Sequence, residues 1–297
     1  MKPKTIIILS VALLSVSTAS IIARLLTTVP AVSMACWRMA VASSLLWVYS
    51  YRSRGGLSTG NLRSTILAGV FLGLHFAFFF AAVKTTSIAQ ATLLATLAPA
   101  FTLIFERLIL KRHYPLAALG GLALALTGAL MISGLNLRSG APSNLGNMLA
   151  LISSFWFALT FLITERVRRT TDTITYSRTL YLSAAVTLLG LTLVRGDILL
   201  SFQPINFLGL FLLGVIPTIF GHSLFYYAVK FIRPTVVLTV PLGEPVVASL
   251  MAWVMFGEVT SGWVIGGGGL ILSGIFLVVR YTQAGSHQDD KKAESGQ

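Results

Sequence analysis

The sequence predicts an all-α membrane protein of ten transmembrane helices, arranged as two inverted five-helix repeats. Three observations lead there. Of 297 residues, 55% are hydrophobic and only 10% charged, against about 25% charged in an average soluble domain; the mean hydropathy is +0.84. The apolar residues are gathered into spans of about 20, the length at which a helix crosses a bilayer core. Finally, the second half of the chain echoes the first at a displacement of 146 residues.

The spans follow in order. Thr5–Leu26 begins after two lysines and resembles a signal peptide, with Ser17-Thr18-Ala19 as its small-residue site. The apolar run continues through Ile21-Ile22 to Arg24, and cleavage would leave an odd number of spans, so a retained helix is expected. Ala31–Tyr51 and Arg63–Lys84 flank a basic loop with Arg52 and Arg54. Ile88–Leu110 contains Pro99 and runs into Lys111 and Arg112. Pro115–Gly134 carries Gly120, Gly121 and Gly128, and Leu145–Glu165 carries Phe155 and Trp156. Ile174–Val194 holds Arg178, and Ile205–Lys230 holds His222. Pro234–Phe256 contains Pro241, Glu244 and Pro245, and Gly262–Tyr281 opens on Gly266 to Gly269. Residues 1–140 and 141–282 form the two repeats, and 283–297 a polar tail expected to be disordered.

The net charge of +13 reports topology rather than a nucleic-acid partner. With the N-terminus inside, 17 of the 22 Lys and Arg fall at or near cytoplasmic ends; Arg24, Arg38, Lys84, Arg138 and Arg195 fall toward the outside. Lys and Arg in short loops orient spans in this way. The expectation is a multi-pass protein of the cytoplasmic (plasma or inner) membrane, both termini cytoplasmic, in contact with lipid, as a monomer or weak homodimer. Cys36 stands alone and forms no internal disulfide. No H-E-x-x-H, C-x-x-C or G-x-x-x-x-G-K-[ST] occurs, so no metal or cofactor is expected.

The repeat superposes structurally costly residues. Ala82-Val83-Lys84 falls on Ala228-Val229-Lys230, Pro99 on Pro245, Gly120-Gly121 on Gly266-Gly267 and Gly128 on Gly274. At a displacement of 140, Arg38 falls on Arg178. Five spans per half is an odd number, so the second half enters the membrane from the opposite side. The loop Phe105–Tyr114 is accordingly basic, whereas Phe256–Gly262 has no Lys or Arg and carries Glu258. Inverted repeats with short loops are a transporter architecture.

At this point the chain resembles the EamA group of the drug/metabolite transporter superfamily over nearly its whole length. The resemblance lies in GEPVVASLMAWVMFGEVT (Gly243–Thr260), GGGGLILSG (Gly266–Gly274), WFALTF (Trp156–Phe161) and the positions of Arg38 and Arg178. The chain departs from the group in two places. Its first span, SVALLSVSTASIIARLL, lacks a Trp-Gly pair, and its fourth ends ERLILKRHYP rather than in a Gly-Glu pair. The resemblance implies export of amino acids or other small metabolites through a central cavity, lined by helices 1, 3, 4, 6, 8 and 9.

Candidate site residues follow from cost. Glu244 falls near the bilayer midplane, where a charged residue costs about 2.5–3.5 kcal/mol on insertion scales. It reads as a protonatable group or a partner for a substrate amine, or else as a neutral acid bonding a neighbouring helix. Pro99, Pro241 and Pro245 each remove a backbone donor and free the carbonyls of Ala95, Val237 and Pro241; they kink the helix, and the freed carbonyls either line a cavity or do not. His75, followed by Phe78 and Phe79, and His222, followed by Phe225 and Tyr226, read as a cavity pair or as histidines bonded to backbone. Trp156 stacks on substrate or packs in the core. Arg38 holds a gate or an ion pair; Arg178 snorkels to the headgroups. Lys84 and Lys230 cap helix ends. The glycines of spans five and ten suit close helix packing within the monomer.

The function expected is secondary transport of a small organic metabolite, such as an amino acid, outward by alternating access. The alternatives are a non-transporting membrane partner or sensor, which would tolerate loss of the midplane polar groups, and a lipid-modifying membrane enzyme. The latter needs an interfacial cluster of acids, histidines or a nucleophile, which the sequence does not supply.

Overall fold

The computed structural model describes residues 3–51, 58–85, 91, 94–132, 144–256 and 262–294. Among them no strand occurs. The helices are α1 (Pro3–Leu25), α2 (Ala31–Ser50), α3 (Thr59–Thr85), α4 (Ala98–Leu108), α5 (Leu116–Ile132), α6 (Asn144–Arg168) and α7 (Thr173–Arg195). There follow α8 (Pro204–Ala228), α9 (Pro234–Thr239), α10 (Glu244–Phe256) and α11 (Gly262–Glu294).

Seven of these, α1, α2, α3, α6, α7, α8 and α11, are long and apolar enough to cross a membrane; Leu116–Met131 and Pro234–Gly243 are shorter apolar helices. Large apolar side chains cover the outer surface, Leu116, Val194, Val254 and Trp263 among them. A soluble protein does not expose so many, and in a bilayer they face lipid. The chain is a multi-span membrane protein.

Two predicted spans are not continuous helices, and proline is the reason in both. In the fourth, helical turns at Leu94 and Ala95 give way to a turn at Thr96 and Leu97, and α4 restarts with Pro99 in its first turn. In the ninth, a 3₁₀ turn over Val240–Gly243 separates α9 from α10. The prolines were expected to leave carbonyls free. Instead the tighter turn recaptures two of them. The Val240 N–H donates to the carbonyl of Val237, and the Glu244 N–H donates to that of Pro241. A 3₁₀ bond reaches one residue less far than an α bond, so it uses the donor just before each proline.

The eighth span departs from α geometry as well. Its middle, Gly214–His222, is a π-helix with Pro217 inside it. The last helix also differs from expectation. It continues past Tyr281 to Glu294, where the sequence predicts a disordered tail. That segment has no proline, and its Gln, Lys, Ala and Glu residues are good helix formers. The loop comparison resting on Glu258, and residues Arg52, Arg54 and Arg138, lie outside the described residues, as do the side chains of Arg24, Lys84 and Pro245.

The helices pack in pairs: α5 with α11, α3 with α6 and α7, α2 with α7, and α1 with α8. Glycine sets the closest of these approaches. A Cβ on Gly274 would stand 2.5 Å from both the carbonyl oxygen of Gly121 and the backbone nitrogen of Ala125. Only a hydrogen fits there, so the glycine stripes of spans five and ten join α5 to α11 within the monomer. The core lies between α2, α3, α6, α7 and α8, where Met39, Leu72, Phe161, Tyr176, Tyr181 and Tyr226 are buried. Asp172 caps α7 by accepting from the Thr175 N–H at 2.9 Å. Burial works against its charge, but these amide and hydroxyl donors outweigh burial and hold its carboxyl below the usual range.

Candidate functional site

A cavity of about 230 Å³ lies at the centre of the bundle. α1 contributes Val16, Ala19 and Ala23, and α2 contributes Met34 and Arg38. α3 supplies His75, Phe76, Phe79 and Phe80; α6 supplies Phe157; α8 supplies Leu213 and His222. The two proline breaks complete the wall with Ala95, Thr96, Ala98 and Pro99 on one side and Leu238, Pro241 and Glu244 on the other. A continuous helix would turn its backbone inward, onto its own hydrogen bonds. The breaks instead bring residues of the turns, Thr96 and Pro241 among them, to the cavity wall, and irregular segments at membrane depth are tolerated where they line a cavity.

Of the residues singled out from sequence, Glu244, His75, His222, Phe79, Arg38, Pro99 and Pro241 converge on this one space. Trp156 and Tyr226 are not part of its lining. Trp156 packs on Phe71, with ring centroids 4.9 Å apart, and its indole nitrogen is buried without an acceptor among the described residues. Tyr226 is fully buried behind His222, against Phe161 and Tyr176. α6 turns about 100° per residue, so facing Phe157 inward directs Trp156 away. Phe76, Phe80 and Phe157 were not singled out from sequence, because any one aromatic in an apolar helix looks like packing. The lining follows the helices expected from the resemblance, with one addition: α2, through Met34 and Arg38.

The polar groups of the cavity are held from behind. The His75 Nδ1–H donates to the Ser153 carbonyl at 3.1 Å and lies 2.9 Å from its hydroxyl, which itself donates to the carbonyl of His75. That pattern places the proton of the neutral ring on Nδ1 and leaves Nε2 as an acceptor. The ring stacks on Phe157 at 4.3 Å. His222 is edge-on to Phe76 and Phe157, and its Nδ1 is buried without a partner among the described residues. Arg38 is buried, with its guanidinium 4.9 Å from the Phe76 ring centroid and its Nε donating to the Thr218 hydroxyl at 3.1 Å. Glu244 opens α10, and its carboxyl takes part in no hydrogen bond or ion pair among the described residues. Arg38 therefore forms no direct ion pair with Glu244. The arrangement provides one acid, one guanidinium and one imidazole acceptor on aromatic walls, which is what a small polar organic molecule needs to be oriented.

A second polar cluster lies further along α4 and had no counterpart in the sequence reading. Glu106 is fully buried. Its carboxylate accepts from Arg112 at 2.6 Å, from Thr235 at 2.5 Å and from the Tyr114 hydroxyl. Arg112 also donates to both oxygens of Glu165, at 3.0 and 2.7 Å. Burial disfavours the charge on Arg112, but the hydrogen bond and charge of Glu165, with Glu106, outweigh it and hold the guanidinium above its ordinary value. Burial, followed by the adjacent Glu106, likewise pushes the Tyr114 phenol up, so it stays a donor. Arg233 covers the ring of Tyr114 and donates to the His113 carbonyl at 2.7 Å. The cluster thus ties the α4–α5 connection to α6 and to the start of α9. Its visible trace in the sequence is the run ERLILKRHY, which departs from the family pattern.

Arg178 does not snorkel. It is buried between α7 and α2, donating to the Ser50 hydroxyl at 2.6 Å and lying 4.3 Å from the Trp47 ring centroid. Both partners lie on the packed neighbour α2, so the guanidinium finds a hydrogen bond and a π face without reaching the headgroups. Lys230 follows α8 at its exposed end.

The chain matches the sequence profile of the EamA-like transporter family twice, over residues 3–134 and 144–280. It is 26% identical over 222 residues to an uncharacterized transporter of Archaeoglobus fulgidus, covering 73% of this chain and 77% of that one. It is 24% identical over 245 residues to the pseudopaline exporter CntI of Pseudomonas aeruginosa, covering 82% and 84%. One solved crystal structure superposes with a TM-score of 0.80 at 17% identity, over 95% of this chain and all of the other.

Proposed function

The chain belongs to the EamA-like transporter family, and we propose that its central cavity is the site through which it exports a small organic metabolite, such as an amino acid or a related compound. The observation that carries this reading is the convergence of Glu244, Arg38, His75 and His222 on one aromatic-walled space. Ionisable groups at membrane depth are costly and mark substrate or ion paths.

In this reading residues 1–140 and 141–282 are inverted repeats that rock about the cavity, within a cytoplasmic membrane with both chain ends inside. The double match to one family profile supports the repeat, as does the pairing of α2 with α7 and of α5 with α11, its counterpart spans. The Glu106 cluster joins residues of the two halves and closes the cavity toward the end at which the sequence places the cytoplasm. Alternating access then requires Thr235 to part from Glu106, and Glu165 from Arg112, as the other end closes. Glu244 serves as the protonatable group that couples or gates the movement.

The test is flux of labelled amino acids and other metabolites in proteoliposomes across a pH series, with wild type and Glu244→Gln. The reading predicts a transported compound, and a variant that inserts normally but loses rate or pH dependence. Identical flux at every pH in the variant would remove Glu244 from the mechanism.

A further inference from the structure

The π-helix in α8 has a consequence for Arg38. Pro217 has no N–H to give to the carbonyl of Leu213, its partner in an α-helix. That carbonyl instead accepts from the Thr218 hydroxyl at 2.8 Å. With its hydrogen committed there, the Thr218 oxygen is left as an acceptor, and it takes the Arg38 Nε–H at 3.1 Å. Thr218 is itself fully buried, and its own carbonyl accepts from the Tyr181 hydroxyl at 3.0 Å, which fixes the turn. The approach of α8 to α2 depends on Gly214, where a Cβ would stand 2.5 Å from Val41 Cγ1 and 3.2 Å from the Arg38 carbonyl oxygen.

Arg38 is thereby occupied on two sides only. Thr218 holds the Nε edge, and Phe76 covers one face. Among the described residues that bond to Thr218 is the guanidinium's only hydrogen bond, and Nη2 is buried with no acceptor. Arg38 is only 7% exposed and lines the cavity. A buried cation with an unmet donor is costly, and no carboxylate among the described residues pairs with it. Nη2 is closed off, so the side of the guanidinium left accessible is Nη1, which has no hydrogen bond among the described residues; a group that reaches it is matched by the Nη1–Nη2 fork best when it is a carboxylate rather than an amine or an amide.

We infer that Arg38, aimed by the Pro217–Thr218 π-turn, is the subsite for a carboxylate on the transported molecule, with the apolar body of that molecule lying on the phenyl rings of α3 and α6. The inference rests on the cavity being the substrate site and adds the charge class of the substrate to it. Arg38 is then a ligand-binding residue and neither a gate nor half of an ion pair, and Thr218 is a positioning residue that acts through it.

The test uses the purified full chain and three probes of one shape: 3-phenylpropionate, 3-phenylpropanamide and 3-phenylpropylamine. Binding is read as a shift in unfolding temperature over a titration of each. The expected result is stabilisation by the carboxylate at concentrations where the amide and the amine do nothing. Thr218→Val should weaken the carboxylate about tenfold, the scale of one charge-assisted hydrogen bond lost or misdirected. Thr218→Ser, which keeps the hydroxyl, should restore it. Pro217→Ala, which returns the N–H and frees Thr218 from Leu213, should weaken it too. Arg38→Gln should abolish the preference for carboxylate over amide; should that variant fail to fold, the Thr218 pair still decides. Equal stabilisation of the wild type by all three probes overturns the carboxylate subsite and leaves the cavity reading intact. An unchanged preference in Thr218→Val overturns the positioning role. A wild type stabilised by none of the three contradicts both the subsite and the cavity as a binding site.

Discussion

Two groups of ionisable side chains are built in opposite ways: one lies about the cavity, whose wall includes Pro99 at the start of α4, and the other about Glu106, roughly 10 Å further along that helix at about 1.5 Å per residue. Around Glu106 every group has a partner: one carboxylate accepts from Arg112, Thr235 and Tyr114, and the same guanidinium reaches Glu165. Around the cavity His75 is tied to Ser153, but the other polar groups lack most of their partners among the described residues. Glu244 has none among the described residues, Arg38 has one hydroxyl, and His222 Nδ1 has nothing. A saturated buried network fixes a structure, because removing any member orphans the rest. An unsaturated one leaves binding capacity for a molecule that comes and goes. Under the proposed function, the difference separates a cluster that keeps one end closed from a cavity that holds cargo.

The comparison can be broken by mutation, and the largest effect is expected at Glu106. Glu106→Ala should cost about 3–5 kcal/mol of stability in detergent, because it takes the acceptor from the Tyr114 and Thr235 hydroxyls and one of the two carboxylates from Arg112. A chemical-denaturation midpoint close to wild type would show that the cluster is not the lock it resembles. Next is Gly274→Ala, which places a Cβ 2.5 Å from the backbone of α5. Forcing the helices apart should cost about 1–3 kcal/mol, measured in the same way. Asp172→Ala removes the cap of α7 and should cost about 1 kcal/mol. The sign of its pH dependence follows from the depressed carboxyl. Its stabilisation is present above the unfolded-state value and is lost as pH falls through the lower folded-state value, so wild type and variant should converge in acid. The smallest effect on stability belongs to Glu244→Gln, which should leave the denaturation midpoint within about 0.5 kcal/mol, since no partner is orphaned. A loss there as large as at Glu106 would erase the contrast.

The sequence made the costly features legible. Glu244, His75, His222 and the prolines stood out because an apolar helix has no packing use for them, and each of these except Pro245 could be followed to the cavity. The glycines of α5 and α11 were legible for the same reason. What escaped depends on helix phase and on distant partners. Trp156 and Phe157 differ by one position and face different neighbours, a distinction set by how α6 packs on α3. Arg178 looked like a snorkelling cation until Ser50 and Trp47 of α2 were beside it. Pro217 was one more proline in a membrane helix, and its π-turn acquires meaning only through Arg38, 180 residues away. The Glu106 cluster hid in the run ERLILKRHY because its other members, Glu165 and Thr235, come from beyond the midpoint of the chain.

The central claim is that the cavity is where the transported molecule sits. Ala19 lines it, and the native Cys36 is buried on another face, against the Ala185 carbonyl. In an Ala19→Cys, Cys36→Ser chain reconstituted in liposomes, the rate of thiol alkylation can be followed with and without each metabolite of the flux panel. The compounds that are transported, and only those, should slow alkylation of the Ala19→Cys thiol in proportion to their saturation of flux. A compound carried at full rate with no protection at that position would contradict it.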